Sequence, residues 1–230
     1  MSLAFLSPDS AAATPARSPM IDAAESAGAV TETRGGWEVI VSFGDASAEA
    51  AACTETVGFA DLSDLTKLEI QAPRPVLAEL LDGSPCGVAR RREGGWLCPI
   101  APTLALALGG AERDEATWAR LHGEGLRVCD LTGSLAAMAI VGPRARETFA
   151  RFCALDLRQS AMPPGAFRPA SVARTPGYVL REGPDRFLML FGAALGEYMW
   201  QVVSDSVGNL GGRPVGLDAL PAPEEEWAHA

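Results

Sequence analysis

The sequence predicts a duplicated, pseudo-symmetric α+β fold with mainly antiparallel sheets, and three observations carry that expectation. The chain says nearly the same thing twice: Gly58-Phe59-Ala60-Asp61-Leu62-Ser63 leads into Lys67-Leu68-Glu69-Ile70-Gln71-Ala72-Pro73-Arg74, and further on Arg127-Val128-Cys129-Asp130-Leu131-Thr132 leads into Ala137-Met138-Ala139-Ile140-Val141-Gly142-Pro143-Arg144. In each copy Asp-Leu-(Ser/Thr) is followed by a strand-like alternation, and Pro-Arg then opens a helix-like stretch. Two copies are too few for a solenoid, so the halves are expected to fold together into one domain with its function at or near their seam. The expected organisation is a flexible arm over 1–16, a domain over 17–220 with halves at about 17–110 and 125–220, and a flexible tail over 221–230.

The elements follow in order. Residues 38–43 read as a strand after the Gly35-Gly36 turn, with Val39, Val41 and Phe43 on one face and Ile40 on the other. Residues 46–56 read as a helix. Leu68, Ile70 and Ala72 alternate with Lys67, Glu69 and Gln71, the pattern of a half-buried strand. Pro75 can open a helix at its first position; Val76, Leu77, Leu80 and Leu81 supply its apolar residues, and Gly83 ends it. Residues 86–91 and 96–100 read as strands around the Glu93-Gly94-Gly95 turn. The charged, glycine-punctuated stretch 109–125 is expected to hold a connecting helix at 114–121. In the second half Met138 and Ile140 mark a strand, and Pro143 opens a helix in which Ala145, Phe149, Phe152 and Cys153 recur at near-helical spacing. Strands are expected over 172–173, 178–181 and 186–191, with Glu182-Gly183-Pro184-Asp185 as the turn between the last two. Residues 195–207 read as a helix whose Leu195, Met199, Val202 and Val203 form a core stripe.

Composition narrows the function. A net charge of −10 disfavours nucleic acid and anionic membranes as partners. Lys67 is the only lysine; the excess of arginine, with abundant alanine, reads as genome composition rather than a demand for anion binding. Cys53, Cys86, Cys98, Cys129 and Cys153 are scattered without CxxC spacing and read as small apolar residues in a reducing cytoplasm, so the expected location is cytoplasmic. The only histidines, His122 and His229, stand in no cluster of nitrogen and sulfur ligands, and no metal is expected. Only His122 could serve a Ser-His-Asp or Cys-His mechanism, and nothing around it resembles a nucleophile elbow. No stretch is long and apolar enough to span a bilayer, and the N-terminus lacks the early basic region of a signal peptide. No GxGxxG follows a strand and no P-loop is present. Asp61 and Asp130 invite an acid–base role, but an aspartate before Leu-Ser or Leu-Thr at the head of a strand reads as a turn residue bonding its own backbone.

Several motifs, in order, resemble the folate-binding domain of the glycine cleavage T protein (aminomethyltransferase) and its relatives in sarcosine and dimethylglycine oxidation. They are Ser18-Pro19-Met20, Ala27-Gly28-Ala29, Gly36-Trp37-Glu38-Val39, Val57-Gly58-Phe59-Ala60-Asp61-Leu62-Ser63 with Lys67-Leu68, and Trp200 followed by Val215-Gly216-Leu217-Asp218-Ala219-Leu220. The resemblance covers roughly 18–227. Val128-Cys129-Asp130-Leu131-Thr132, Val141-Gly142-Pro143-Arg144-Ala145-Arg146, Cys153-Ala154-Leu155-Asp156-Leu157 and Pro164-Gly165 are similar to the γ subunit of heterotetrameric sarcosine oxidase. That resemblance implies a pair of related α+β units with exchanged strands, in a small subunit that assembles with flavin-bearing chains and carries no chemistry itself.

The departures matter as much. A working aminomethyltransferase has an Asn-Asp stretch and a Gly-Gly-x-x-Asp-Asp stretch that supplies the catalytic aspartate near the folate. Here the first half has Gly94-Gly95-Trp96-Leu97 without paired aspartates; Ala154-Leu155-Asp156 resembles the Asn-Asp stretch, but 174–181 holds no aspartate. The family's Gly-Glu-x-Gly turn, whose glutamate holds the pterin ring, is partly matched by Glu182-Gly183-Pro184-Asp185, and paired hydrogen bonds from a carboxylate are what Glu182 would offer folate. The plainer reading of the same residues is an acidic hairpin turn. The family's Leu-Arg-x-Glu is answered by Pro223-Glu224-Glu225-Glu226, a charge reversal, and its C-terminal barrel is expected to be missing. The Lys-Gly-Cys-Tyr signature of folate-dependent iron–sulfur assembly factors is absent. The resemblance thus implies a non-catalytic, γ-like subunit of a flavin-dependent sarcosine (secondary amine) oxidase in one-carbon and glycine-related metabolism. Its partners would be the larger flavoprotein subunits, and this chain alone would bind no flavin. The alternative is a stand-alone tetrahydrofolate-binding, aminomethyltransferase-like protein with Glu182 at the folate. A γ-like subunit should also expose an apolar patch.

Overall fold

The computed structural model describes residues 14–92, 94–109 and 126–223. The helix expected over 114–121, both histidines and Glu224-Glu225-Glu226 lie outside the described residues. The chain begins with β1 (Ala16–Arg17), α1 (Ile21–Ser26), β2 (Val30–Arg34) and β3 (Trp37–Ser42), so Ala16, the last residue of the expected arm, is already paired. Next come α2 (Ala46–Glu55), β4 (Gly58–Asp61), β5 (Thr66–Gln71), α3 (Arg74–Leu80), β6 (Arg90–Arg92), β7 (Gly95–Ala101) and β8 (Leu104–Gly109). The second half holds β9 (Arg127–Asp130), β10 (Leu135–Val141), α4 (Ala145–Phe149), β11 (Phe167–Val172), β12 (Thr175–Gly183), β13 (Arg186–Gly192), α5 (Gly196–Gly208) and β14 (Arg213–Pro214).

Local chemistry explains the boundaries. The Asp45 carboxylate accepts the Ala48 N–H at 2.9 Å and caps α2, while Pro75 sits in the first turn of α3. Gly83, at φ 73°, follows α3 in the left-handed conformation that stops a helix. β11 turns into β12 through Ala173 and Arg174, both at positive φ, so the expected strand at 172–173 ends one residue sooner. The strand expected over 86–91 forms only from Arg90; before it Val88 makes a single bridge to Ala166. β8 and β2 carry no strong turn signal at their start and lay outside the sequence reading.

The topology repeats. One sheet has the order β6-β7-β8-β5-β9, the other β11-β12-β13-β10-β4-β14, so each half builds the same meander and takes its next strand from the other half. β4 pairs antiparallel with β10, and β9 pairs antiparallel with β5. The hinge of this exchange is the repeated Asp-Leu-(Ser/Thr). Ser63 N–H donates to Asp61 Oδ1 at 2.9 Å and Thr132 N–H to Asp130 Oδ1 at 2.8 Å, two matching Asx turns that bear out the turn reading. The hydroxyls then cross over: Lys67 N–H donates to Thr132 Oγ1 at 3.1 Å, and Ala137 N–H donates to Ser63 Oγ at 3.4 Å.

Three apolar layers result, beside a smaller cluster of Ala52 and Cys53 on α2 with Ala60, Ala139, Val141 and Val215. Met20, Phe59, Phe149, Phe187, Met199 and Trp200 lie between the second-half sheet and α1, α4 and α5. Trp96, Cys98, Leu106, Leu108, Leu180, Leu188 and Leu190 fill the space between the two sheets. Leu68, Ile70, Leu77 and Leu81 join the first-half sheet to α3. The second face of β5 opens toward Glu69 and exposed Gln71 but is covered at Lys67, which is fully buried although expected on a wet face. Its ammonium donates to the carbonyls of Ser63 at 2.9 Å and Leu65 at 2.6 Å, beside the crossing point.

Candidate functional site

The seam between the sheets is where Glu182 lies. β12 and β13 are joined by the two-residue loop Pro184-Asp185, between the paired Gly183 and Arg186. β7 and β8 are joined by Pro102-Thr103 between the paired Ala101 and Leu104, and both hairpins shift register at the same place, between Pro99 and Ala101 and between Arg181 and Gly183. The residue inside the irregularity is Ile100 in one half and Glu182 in the other. A bulge of this kind re-aims one side chain. Glu182 thus belongs to the end of a strand, not to an acidic turn, and is only 5% exposed.

Its carboxylate is engaged on both oxygens. Trp96 Nε1 donates to Glu182 Oε1 at 3.0 Å, and Arg186 Nε donates to Glu182 Oε2 at 2.8 Å in an ion pair whose side chains are 10% and 6% exposed. Trp96 comes from β7 and Arg186 from β13, so the carboxylate ties the halves together. The network continues outward: the Arg91 guanidinium lies 5.0 Å from the Trp96 ring centre, and Arg186 donates to the Pro221 carbonyl. Reading the sequence alone missed Trp96 and Arg186; the spacing of four between Glu182 and Arg186, across a tight Pro-Asp loop, was the signal available. The two positions after Gly94-Gly95-Trp96-Leu97 are Cys98 and Pro99. Cys98 is fully buried, and burial, reinforced by the nearby Glu182 charge, pushes its thiol well up.

Arg181, beside Glu182, is 4% exposed and makes no ion pair within 4 Å among the described residues, though the Asp185 charge acts on it. It donates instead to the carbonyls of Met162 at 2.8 Å, Leu157 at 3.3 Å and Gly183 at 3.1 Å, and lies 5.3 Å from the Phe187 ring centre. Burial lowers its pKa, with Arg146 adding to the effect. The loop it holds leads to Asp156, which accepts from Arg158 Nε at 2.9 Å and is pulled down to about 2 by hydrogen bonds from Arg158. These residues line an open cleft of about 410 Å³ with Pro143, Arg146 and Glu147, away from Glu182.

Asp61 and Asp130 occupy equivalent turns but differ in burial: Asp61 is 7% exposed, and its Oδ2 makes no hydrogen bond among the described residues. Burial raises its pKa, partly offset by the Ser18 and Ser63 hydroxyls nearby. Asp130 pairs across β5 from Leu68 on the opposite side of the crossing. Among the described residues no group of three or more His, Cys, Asp and Glu could hold a metal ion, and no helix is long and apolar enough to cross a membrane. Among the described residues the exposed large apolar side chains are Val30, Val76, Val88 and Tyr198, on four separate segments.

No family model matches the chain. In sequence it is 24% identical over 226 residues to an aminomethyltransferase of Thermotoga maritima, and 27% identical over 231 residues to one of Deinococcus deserti. Each match covers 88% of this chain and 62% of the relative, so the chain spans about three fifths of the length of these curated relatives. In structure it resembles the glycine cleavage system aminomethyltransferase T of Bartonella henselae, with a TM-score of 0.72 at 18% identity, covering 88% of this chain and 60% of that one. It also resembles a chain of the heterotetrameric sarcosine oxidase of Corynebacterium sp. U-96, with a TM-score of 0.58 at 22% identity, covering 74% of this chain and 95% of that one. The chain therefore has the aminomethyltransferase-type fold and is similar both to aminomethyltransferases, the glycine cleavage T protein among them, and to a chain of heterotetrameric sarcosine oxidase.

Proposed function

We propose that the chain is a non-catalytic, γ-like subunit that supports a flavin-dependent secondary amine oxidase of the sarcosine oxidase kind. The observation that carries this reading is the fate of Glu182: the carboxylate that would hold a pterin ring is spent on Trp96 and Arg186 inside the fold. Cys98 and Pro99 stand where the resemblance places the paired aspartates, and neither can supply a carboxylate. The residues present thus do not fit tetrahydrofolate held through Glu182. On this reading the flavin and the amine chemistry belong to larger partner chains.

A second reading is favoured by the sequence relatives, which are aminomethyltransferases. It makes the chain a stand-alone tetrahydrofolate-binding protein. Calorimetric titration of the folded chain with tetrahydrofolate separates the two. The subunit reading expects no saturable heat; saturable binding with one site per chain would establish the alternative.

A further inference from the structure

The two sheets correspond strand for strand except at one edge. Outside β4 the second-half sheet carries β14, whereas the first-half sheet ends at β9, and among the described residues no strand lies beyond it. β14 runs parallel to β4: Arg213 N–H donates to the Val57 carbonyl at 3.2 Å and Val215 N–H donates to the Phe59 carbonyl at 2.9 Å. Since Asp61 and Asp130 are equivalent, Leu126 and Val128 are the counterparts of Val57 and Phe59. Their main chain is aimed the same way. Leu131 N–H donates to the Lys67 carbonyl at 2.8 Å, which sets the hydrogen-bonded pairs of this antiparallel ladder at Leu131–Lys67, Cys129–Glu69 and Arg127–Gln71. Val128 falls between them, with its N–H and C=O turned away from β5.

A cleft of about 680 Å³ opens across the ends of β8, β5 and β9, lined by Gln71, Ala72, Pro73, Thr103, Leu104 and Arg127, of which Arg127 belongs to β9. Arg127 is exposed and has no carboxylate partner among the described residues. An unpaired edge is a template for a strand from another chain, in which main-chain bonds give affinity and side chains give selectivity. We propose that the β9 edge is the docking site for an extended, acidic segment of a partner subunit. That segment adds parallel to β9, bonds to the main chain of Leu126 and Val128 as β14 bonds to β4, and sets a carboxylate against Arg127. The proposal rests on the subunit reading above and names the surface that reading needs.

Three observations choose this occupant. The β14 pairing is a parallel precedent inside the same molecule. A second copy of this chain docked edge to edge about a two-fold axis would pair antiparallel instead. The exposed large apolar side chains among the described residues are Val30, Val76, Val88 and Tyr198, none of them on β9, so at this edge an interface made of main-chain hydrogen bonds and charge fits better than one made of buried apolar side chains.

Hydrogen–deuterium exchange on the tagged chain, alone and within the flavin-bearing complex isolated from its own cells, tests this. The Val128 amide should exchange quickly in the free chain and slow by about tenfold or more in the complex, while the Cys129 amide, bonded within the ladder, stays slow in both. Val128→Pro removes the outward N–H without touching a ladder bond, and Arg127→Glu reverses the charge. With urea midpoints near wild type, each should cut recovery of the larger chains about tenfold, whereas Arg127→Lys should keep most of it. A flavin-bearing complex in which the Val128 amide still exchanges quickly, or which both variants recover undiminished, overturns the inference and leaves the subunit reading standing. A homodimer by light scattering that Val128→Pro abolishes assigns the edge to a second copy. A wild-type chain that brings out no flavoprotein overturns both.

Discussion

Glu182→Ala should cost the chain more stability than any exposed carboxylate can. Glu182 and Arg186 are 5% and 9% exposed, and the substitution leaves the guanidinium buried without its carboxylate. Breaking a buried pair in this way costs about 3–5 kcal/mol. Trp96 Nε1 loses its acceptor too, a penalty of about 1–3 kcal/mol that overlaps the first because one side chain serves both. We expect a total of about 4 kcal/mol, a fall of about 2 M in the urea midpoint at a slope of about 2 kcal/mol per M. The control is Glu147→Ala, which removes an exposed pair with Arg144 and should cost at most about 1 kcal/mol. A double-mutant cycle of Glu182→Gln with Arg186→Met should return a coupling of about 1–3 kcal/mol. If Glu182→Ala costs no more than Glu147→Ala, the carboxylate is not part of the framework and stands free for a ligand, and the reasoning that leads to a non-catalytic subunit fails.

Asp61→Asn carries a pH signature. Burial holds the Asp61 carboxyl above its ordinary 3.8 in the folded chain, so the stability it contributes is complete below that value and is lost as pH rises through the folded value. Relative to wild type, the variant should therefore gain stability as pH rises above about 4 in urea denaturation; a difference independent of pH would count against a buried carboxylate whose Oδ2 lacks a hydrogen bond. A thiol reagent should titrate Cys86 and Cys129 in the native chain and reach Cys53, Cys98 and Cys153 only in denaturant, and fast native labelling of Cys98 would contradict the packing between the sheets. Gly216→Ala should abolish folding or cost about 3 kcal/mol or more, since a Cβ there would stand 2.1 Å from the Val41 carbonyl group while Gly216 N–H donates to buried Glu49 at 2.7 Å; thermal melting reads the effect.

What was legible in the sequence is local and periodic. Leu68/Ile70 and Met138/Ile140 announce strands through alternation, Pro75 announces a helix start, and the stripe through Met199 and Val203 announces α5. Asp61 and Asp130 were legible as turns because an Asx turn is completed within three residues. Lys67 was misplaced because alternation shows that a strand has two kinds of face but not what covers the polar one; here the second sheet does. Glu182 was misplaced by one position, from turn to bulge, and that single step decides its chemistry: in a turn it would be solvated, while in the bulge it points between sheets toward a tryptophan 86 residues away in sequence. Contacts of that range leave no periodic trace. The exchange of β4 and β9 is likewise invisible to pattern reading and was reached only through family resemblance.

As proposed above, this chain is one component of a larger flavin-bearing assembly. The most direct measurement is the native mass and visible absorbance of whatever a tagged copy brings out of its own cells. The account predicts a yellow, stoichiometric assembly with larger chains, in which the flavin stays with those chains when this one is stripped away. A colourless protein of the mass of one chain, binding tetrahydrofolate on its own, would contradict it.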